Sequence, residues 1–389
     1  MLNVLVPKGA RFVCLLSISL GLSMSLSSAS VAQESEPMSF APIQDEGTIF
    51  FLTPGQSSVR WVRHDTPSMR AALARIAPNM TLEVLDAAGD SNKQQTQVEA
   101  AIASGAKGIV VVVVDGANAG GILQAAKAND VPVVGYGHDI MGENLEGLLS
   151  AHITTLMAEN YHVPHCVYVG KKVAESDEWT AADPFKLALF NIPTHSGTAK
   201  IAYQNCMAGL KPAIDAGKLK IVCEQALPDY TGATAQKATE QCLTSQANDV
   251  DGFSVGNDDQ ADGIYAALAA QELQGKTIIY GGYDATLTGL QRVLLGYQDF
   301  DTYPPFREMG SVAVQALLSK VNSAVPMPKE VNTRYLNAQK VAEGGVPAAF
   351  LPDTRAFADT IEQTVIADSL FTKEQLCTGM ASAADFCKK

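Results

Sequence analysis

Residues Ile109–Val114 read IVVVVV, six apolar β-branched side chains in succession. A strand with one wet face alternates apolar and polar residues, so a run without alternation has to be covered on both sides. The arrangement that does this is an interior strand of a parallel sheet with helices on each face. The residues around it keep the same rhythm. Thr48–Leu52 reads as a strand, then a helix from about Asp65 to Ala77, a strand at Leu82–Leu85 and a helix from about Ser91 to Ser104. After the valine run come a helix over Ala117–Ala128 and a strand at Val131–Val134. A second set begins at Leu187–Asn191, with a helix to Ala216, a strand at Leu219–Cys223 and a helix to Ser245. It continues with a strand at Asp251–Val255, a helix to Leu273 and a strand at Thr277–Tyr280. The fold class is therefore α/β, with two doubly wound parallel-sheet lobes and right-handed crossovers. Open sheets of this kind bind ligands outside the carboxyl ends of their strands, which predicts a cleft between the lobes. A length of 389 residues suits two such lobes.

The first 32 residues belong to neither lobe. Lys8 and Arg11 precede an apolar or small stretch, Phe12–Leu26, and Ala29-Ser-Val-Ala32 supplies the small residues of a cleavage site. This is the pattern of a cleavable secretory signal, so residues 1–32 are expected to be removed and the protein to reach the periplasm. Residues 33–46 form a polar leader. Losing Lys8 and Arg11 takes the formal charge from −13 to −15, which argues against a nucleic-acid partner. Six cysteines remain after Cys14 leaves: Cys166, Cys206, Cys223, Cys242, Cys377 and Cys387. An even number in an exported chain points to disulfides, and sequence alone allows about 15 connectivities. Cys377 and Cys387 lie close together in the tail, residues 369–389, and are paired on that ground. Cys223 with Cys242 suits a strand-to-helix staple, which leaves Cys166 with Cys206 as the remainder. A metal reading of His162-x-x-His165-Cys166 has helical spacing but is interrupted by Pro164.

Catalytic signatures are missing from the sequence. It has no G-x-x-x-x-G-K-[ST] phosphate loop and no G-x-S-x-G elbow. Gly116-x-x-x-Gly120-Gly121 lacks dinucleotide spacing and reads as a tight turn. Binding without an enzymatic step and without a cofactor is the expectation.

Several segments then carry a resemblance. Arg60-Trp61 with Asp65 follows the first strand, and Gln94-x-x-Gln97-Val-Glu99 leads through Ile102-x-x-Gly105 into the valine run. Leu210-Lys211-Pro212-x-x-Asp215-x-Gly217-Lys218, Gly256-Asn257-Asp258, Gly281-Gly282-Tyr283-Asp284-Ala285 and Thr360–Asp368 follow in order. Together they resemble the periplasmic sugar-binding proteins of ABC transporters, most of all the D-xylose-binding kind, from about Thr48 to Asp368. The resemblance implies two lobes joined by a three-strand hinge: 47–152 plus 305–336, and 153–304 plus 337–368. It implies a monomer that closes on a sugar and delivers it to a membrane permease, with presentation to a chemoreceptor or histidine kinase as the alternative. It also implies ligand roles for Arg60, Trp61, Tyr230, Asn257 and Asp284, since flat rings suit sugar faces and charged or amide groups suit the hydroxyl rim.

The sequence departs from that family at the first clamp. Where the family has Tyr-Asp-Arg, this chain has Tyr136-Gly137-His138-Asp139, so His138 or Asp139 is expected to stand in. His152 replaces an expected acid at the first crossover and Pro304 a polar residue at the second. Two histidines near a cleft would suit a carboxylate-bearing or otherwise modified sugar, and the alternative for each is a satisfied surface histidine. Between Asn160 and Pro184 lies an insertion relative to the family.

Overall fold

The computed structural model describes residues 38–55, 59–142, 144–155, 163–191, 193, 199–337 and 339–388. The expected signal, the first residues of the leader and His162 lie outside the described residues. The valine run is buried as its composition requires: residues 109–113 are at most 1% exposed. Gly108–Val111 forms β3, paired on both sides. Beyond it the run leaves the ladder, and the buried Gln94 side chain takes over its hydrogen bonds. Gln94 Nε2 donates to the Val112 carbonyl at 2.9 Å, and Gln94 Oε1 accepts from the Val114 amide at 2.9 Å. This satisfies backbone groups that burial would otherwise leave unpaired.

The first sheet contains β1 (Gly47–Thr53), β2 (Met80–Asp86), β3, β4 (Val133–Tyr136) and β5 (Ala151–Thr154), followed by β11 (Thr333–Leu336), β12 (Gln339–Val341) and β13 (Val346–Phe350). Their order is β12-β11-β13-β5-β4-β3-β1-β2, parallel from β13 to β2 and antiparallel at the β11 edge. Helices α1 (Thr66–Ile76) and α9 (Phe306–Val321) cover one face, and α2 (Ser91–Ala103) and α3 (Gly120–Ala128) cover the other. The second sheet has β6 (Phe185–Asn191), β7 (Leu219–Ala226), β8 (Gly252–Ser254) and β9 (Ile278–Tyr280) in the parallel order β7-β6-β8-β9. It is covered by α4 (Val163–Glu175) and α5 (Ala199–Asp215) on one face and by α6 (Gly232–Ser245) and α7 (Asp258–Ala270) on the other. Both sheets reverse their winding at the strand next to the chain start, β1 and β6, and that crevice is where such folds bind ligands.

A two-stranded ribbon, β10 (Asp301–Tyr303) against β14 (Thr354–Ala356), carries two of the connections between the sheets. The third leaves after β5. Sequence placed the last crossing near Leu336, and the structure corrects this. The chain turns back as β12 and β13 inside the first sheet, because Val346 and Ala348 are fully buried there, and it leaves only after Phe350. At the hinge Tyr283 Oη lies 3.2 Å from Thr155 Oγ1 and donates to Asp353 Oδ1 at 3.0 Å, so a side chain from the end of β9 joins two connections.

The disulfides are Cys166–Cys206, Cys223–Cys242 and Cys377–Cys387. The first joins α4 to α5, so the inserted segment is tied to the second lobe and Cys166 is no metal ligand. The tail is packed onto the fold: Phe371 and Leu376 join a core with Tyr303 and Phe306, and Gln291 Nε2 of α8 (Leu287–Leu294) donates to the carbonyls of Leu376 and Thr378.

His152 does not face the cleft, contrary to the expectation from sequence. It is fully buried in β5 with its ring 4.1 Å from that of Tyr335, and neither ring nitrogen has a hydrogen-bond partner among the described residues. Burial pushes its pKa down to about 3. The folded state therefore excludes a proton that the unfolded chain takes up below pH 6.5, so stability is lost as pH falls from 6.5 toward 3. At pH 5 this costs about 2 kcal/mol. Urea denaturation at pH 7.5 and pH 5 should show His152→Leu relieved of a penalty of about that size relative to the parent.

Candidate functional site

Two loops at strand ends supply the charged part of the site. After β1 the chain makes a wide π-type turn, Trp61–Asp65, which leads directly into α1. The turn folds Arg60 back on Asp65: Nε donates to Oδ2 at 3.0 Å and Nη2 to Oδ1 at 3.2 Å. Asp65 also accepts the Tyr136 hydroxyl at 2.6 Å, from the end of β4. The guanidinium lies 4.3 Å from the Trp61 ring centroid and 5.1 Å from that of Phe306. Its remaining nitrogen, Nη1, donates to Asp284 Oδ1 at 3.2 Å, and Asp284 stands beyond β9 in the other lobe. All three members of this ion-pair network are buried.

The electrostatics follow from that burial. Desolvation alone would lower the Arg60 pKa, but the Asp65 and Asp284 carboxylates outweigh it and hold it well above its ordinary value. Burial pushes the Asp284 carboxyl up to about 7, against the opposing pull of Arg60 and with help from Asp258 and Asp65. Asp259, in the first turn of α7, is pushed up to about 8, first by burial and then by Asp284 and Asp258. The Tyr136 hydroxyl is raised by burial first and by the Asp65 charge second.

Asp284 occupies a loop of uncommon backbone. Gly281 and Gly282 have φ of +91° and +148°, and a Cβ at either would collide with His165 or with Gln298 and Asp258. Asp284 and Ala285 follow at +102° and +46°, conformations that cost non-glycine residues about 1–3 kcal/mol each. The loop is held by its surroundings. Asp258 Oδ2 accepts from the Thr286 amide at 2.7 Å and hydroxyl at 2.9 Å, and the Asp284 amide donates to the Thr302 carbonyl at 2.9 Å. Asp258 is itself backed by the buried Arg292, 3.9 Å away. Thr286 caps α8, its hydroxyl accepting the Gly289 amide at 3.0 Å.

An aromatic row adjoins the charges. The Trp61 ring meets the His138 ring edge-on at 5.9 Å, and His138 lies 6.1 Å from Tyr230 of the second lobe. Gly137, at φ +68°, allows the sharp turn after β4, and the Thr154 hydroxyl donates to its carbonyl at 2.8 Å. His138 Nδ1 is 2.9 Å from the Val113 carbonyl, which can only accept, so Nδ1 carries the proton. Asp139 is buried in the same turn. Asn257, for which a ligand role is expected, also has structural work. Its Oδ1 accepts the Gln260 amide at 3.1 Å, capping α7, and its Nδ2 donates to the Tyr230 carbonyl at 3.4 Å. Gln260 Nε2 holds the preceding carbonyl, that of Asp229, at 2.7 Å.

The structure thus joins Arg60, Trp61, His138, Tyr230 and Asp284 through successive contacts, with Asn257 supporting Tyr230 from behind. Asp65 and Tyr136, which hold Arg60 in place, were not among the expected site residues. The five-residue spacing of Arg60 and Asp65 was the available signal, but it reads as a helix start unless the π-type turn is known. Buried polar groups, aromatic rings and hydrogen-bonding hydroxyls set between two sheets can grip a small polar molecule. Among the described residues no cluster of His, Cys, Asp and Glu is arranged to hold a metal.

A model of the periplasmic binding protein domain matches residues 49–324. The chain belongs to the periplasmic binding protein family. The relatives are binding proteins, not enzymes. The D-xylose-binding periplasmic protein of Escherichia coli K12 is 26% identical over 296 residues, 75% of this chain and 82% of that protein. A multiple sugar-binding periplasmic receptor of Rhizobium radiobacter is 24% identical over 347 residues, 85% and 93% of the two chains. Among solved structures, an ABC transporter solute-binding protein of Clostridium phytofermentans with bound β-D-glucose superposes with a TM-score of 0.70 at 22% identity, covering 85% of this chain and 99% of that one. In this periplasmic binding protein no helix among the described residues is long and apolar enough to cross a membrane.

Because Asn257 both caps α7 and holds Tyr230, its two functions separate by substitution. Asn257→Ala should cost about 1 kcal/mol or more in thermal or urea unfolding, whereas Asn257→Ser keeps a capping oxygen and should cost a few tenths, about 0.3 kcal/mol. Both should loosen the Tyr230 loop, seen as faster amide exchange around 228–232.

Proposed function

We propose that this protein is the solute-binding component of an ABC transporter for a monosaccharide or closely related polyhydroxylated ligand, held between the lobes and passed to a membrane permease. The observation that carries the reading is the meeting of Arg60, Trp61 and His138 from one lobe with Tyr230 and Asp284 from the other. Trp61 and Tyr230 suit the weakly apolar faces of a sugar, and Arg60 and Asp284 suit its hydroxyls. The protein acts in the periplasm as a monomer after residues 1–32 are cleaved. The name of the Rhizobium relative, a receptor, favours a second reading: presentation of the same ligand to a chemoreceptor or histidine kinase. An adjacent permease gene or an adjacent receptor gene distinguishes the two.

Asp65 and Asp284 already take up the guanidinium of Arg60, the cation a sugar carboxylate would need, so the site favours neutral sugars over sugar acids. A thermal-shift screen over pentoses, hexoses, polyols and sugar acids should stabilise the protein with at least one neutral sugar, by about 2.7 kcal/mol at a hundredfold excess over Kd. Trp61→Ala should weaken that sugar at least tenfold, about 1.4 kcal/mol. A response confined to sugar acids, or none to any sugar, would overturn the assignment.

A further inference from the structure

Arg60 is fixed from one side and aimed at the other. Asp65 takes two of its nitrogens, Tyr136 holds Asp65 by a hydroxyl bond of 2.6 Å, and the rings of Trp61 and Phe306 flank the guanidinium. Tyr136 is fully buried, its ring edge-on to Phe51 at 5.9 Å, so its hydroxyl has little freedom to swing away. Across the cleft Asp284 is set by its left-handed backbone and by the Thr302 carbonyl. Two opposite charges on rigid mounts in different lobes meet at 3.2 Å.

We infer that Asp65 and Tyr136 are positioning residues that aim Arg60 across the cleft, and that the Arg60–Asp284 pair is a latch that draws the lobes together independently of ligand. A buried ion pair needs good geometry to repay its desolvation, and the Asp65–Tyr136 support supplies that geometry from within one lobe. A latch of this kind raises the fraction of molecules already closed, and apparent affinity rises with that fraction. Ligand hydroxyls then enter as additional partners of charges that are already oriented. This rests on the two-lobed fold and on the observed contacts, and holds whichever solute is bound.

The test needs no ligand. Lys93 on α2 and Lys237 on α6 are exposed on opposite lobes. Dyes placed on Lys93→Cys and Lys237→Cys in the otherwise intact mature chain report open and closed populations by single-molecule energy transfer. In sugar-free buffer at pH 8 the parent should show a closed population. Asp284→Asn should lower the closed-to-open ratio at least fivefold, and Tyr136→Phe at least twofold. The double variant should match Asp284→Asn alone, because aiming Arg60 is without effect once its target is gone. Arg60→Gln approaches the pair from the other lobe and should reproduce the Asp284→Asn ratio. An entirely open parent, or a ratio unmoved by both Asp284→Asn and Arg60→Gln, overturns the latch. Additive effects in the double variant overturn the positioning role of Tyr136, since a merely structural residue would act regardless of Asp284. A flat thermal-shift screen alongside a normal energy-transfer result would sink the sugar assignment alone.

Discussion

The buried Arg60 guanidinium, shared between Asp65 and Asp284, is the contact on which the site's geometry depends. A charge out of water is costly unless its hydrogen-bonding edges are met, and this one is met from both lobes. That requirement explains the wide turn at Trp61–Asp65, which brings Asp65 back under Arg60, and the placement of Tyr136, whose hydroxyl completes the shell of Asp65. It also accounts for the burial of Trp61, at 3% exposure, because the ring lies on the guanidinium while its edge faces His138. One residue therefore sets the position of the charged and aromatic halves together.

The opposite mount is built from strain and its restraint. The Gly281–Thr286 loop places two non-glycine residues in the left-handed region, and such backbone persists only where neighbours over-determine it. The neighbours here are buried acids. Asp258 binds the loop at Thr286, and Asp301, whose carboxyl is raised by burial first and by the Asp258 charge second, packs behind it with Arg292 and Gln298. Gly282 and Gly289 leave the room that this acidic cluster occupies. The deep polar network of the second lobe thus serves the cleft at a distance, by fixing where Asp284 points.

How much of this was legible in the sequence depends on the range of the interaction. The valine run, the alternation of strands and helices and the strand-end position of Asp284 are local patterns, and each was readable. The return of the chain through β12 and β13 was not, since β12 is short and polar at the sheet edge and β13 is placed by pairing with β5, nearly 200 residues away in sequence. His152 was misread for a related reason. Its position at a crossover suggested the cleft, but side-chain alternation along β5 turns it under Tyr335. The strand-end position of Asn257 was readable, but its capping of the helix that starts there was not. Asp65 and Tyr136 are 71 residues apart and meet only through the parallel pairing of β1, β3 and β4.

Hinge and site are also continuous along the chain. Tyr283, which joins Thr155 to Asp353 at the connections, directly precedes Asp284. Any rotation of the second lobe about those connections therefore carries Asp284 on a short lever, with Tyr283 at its base. On the other side, Phe306 begins the helix that re-enters the first lobe, stacks on His64 at 4.5 Å and faces the Arg60 guanidinium. Both charges of the cross-cleft pair are thus attached next to the segments that bend. Small hinge rotations then produce small displacements at the pair and larger ones at the outer rim of the cleft.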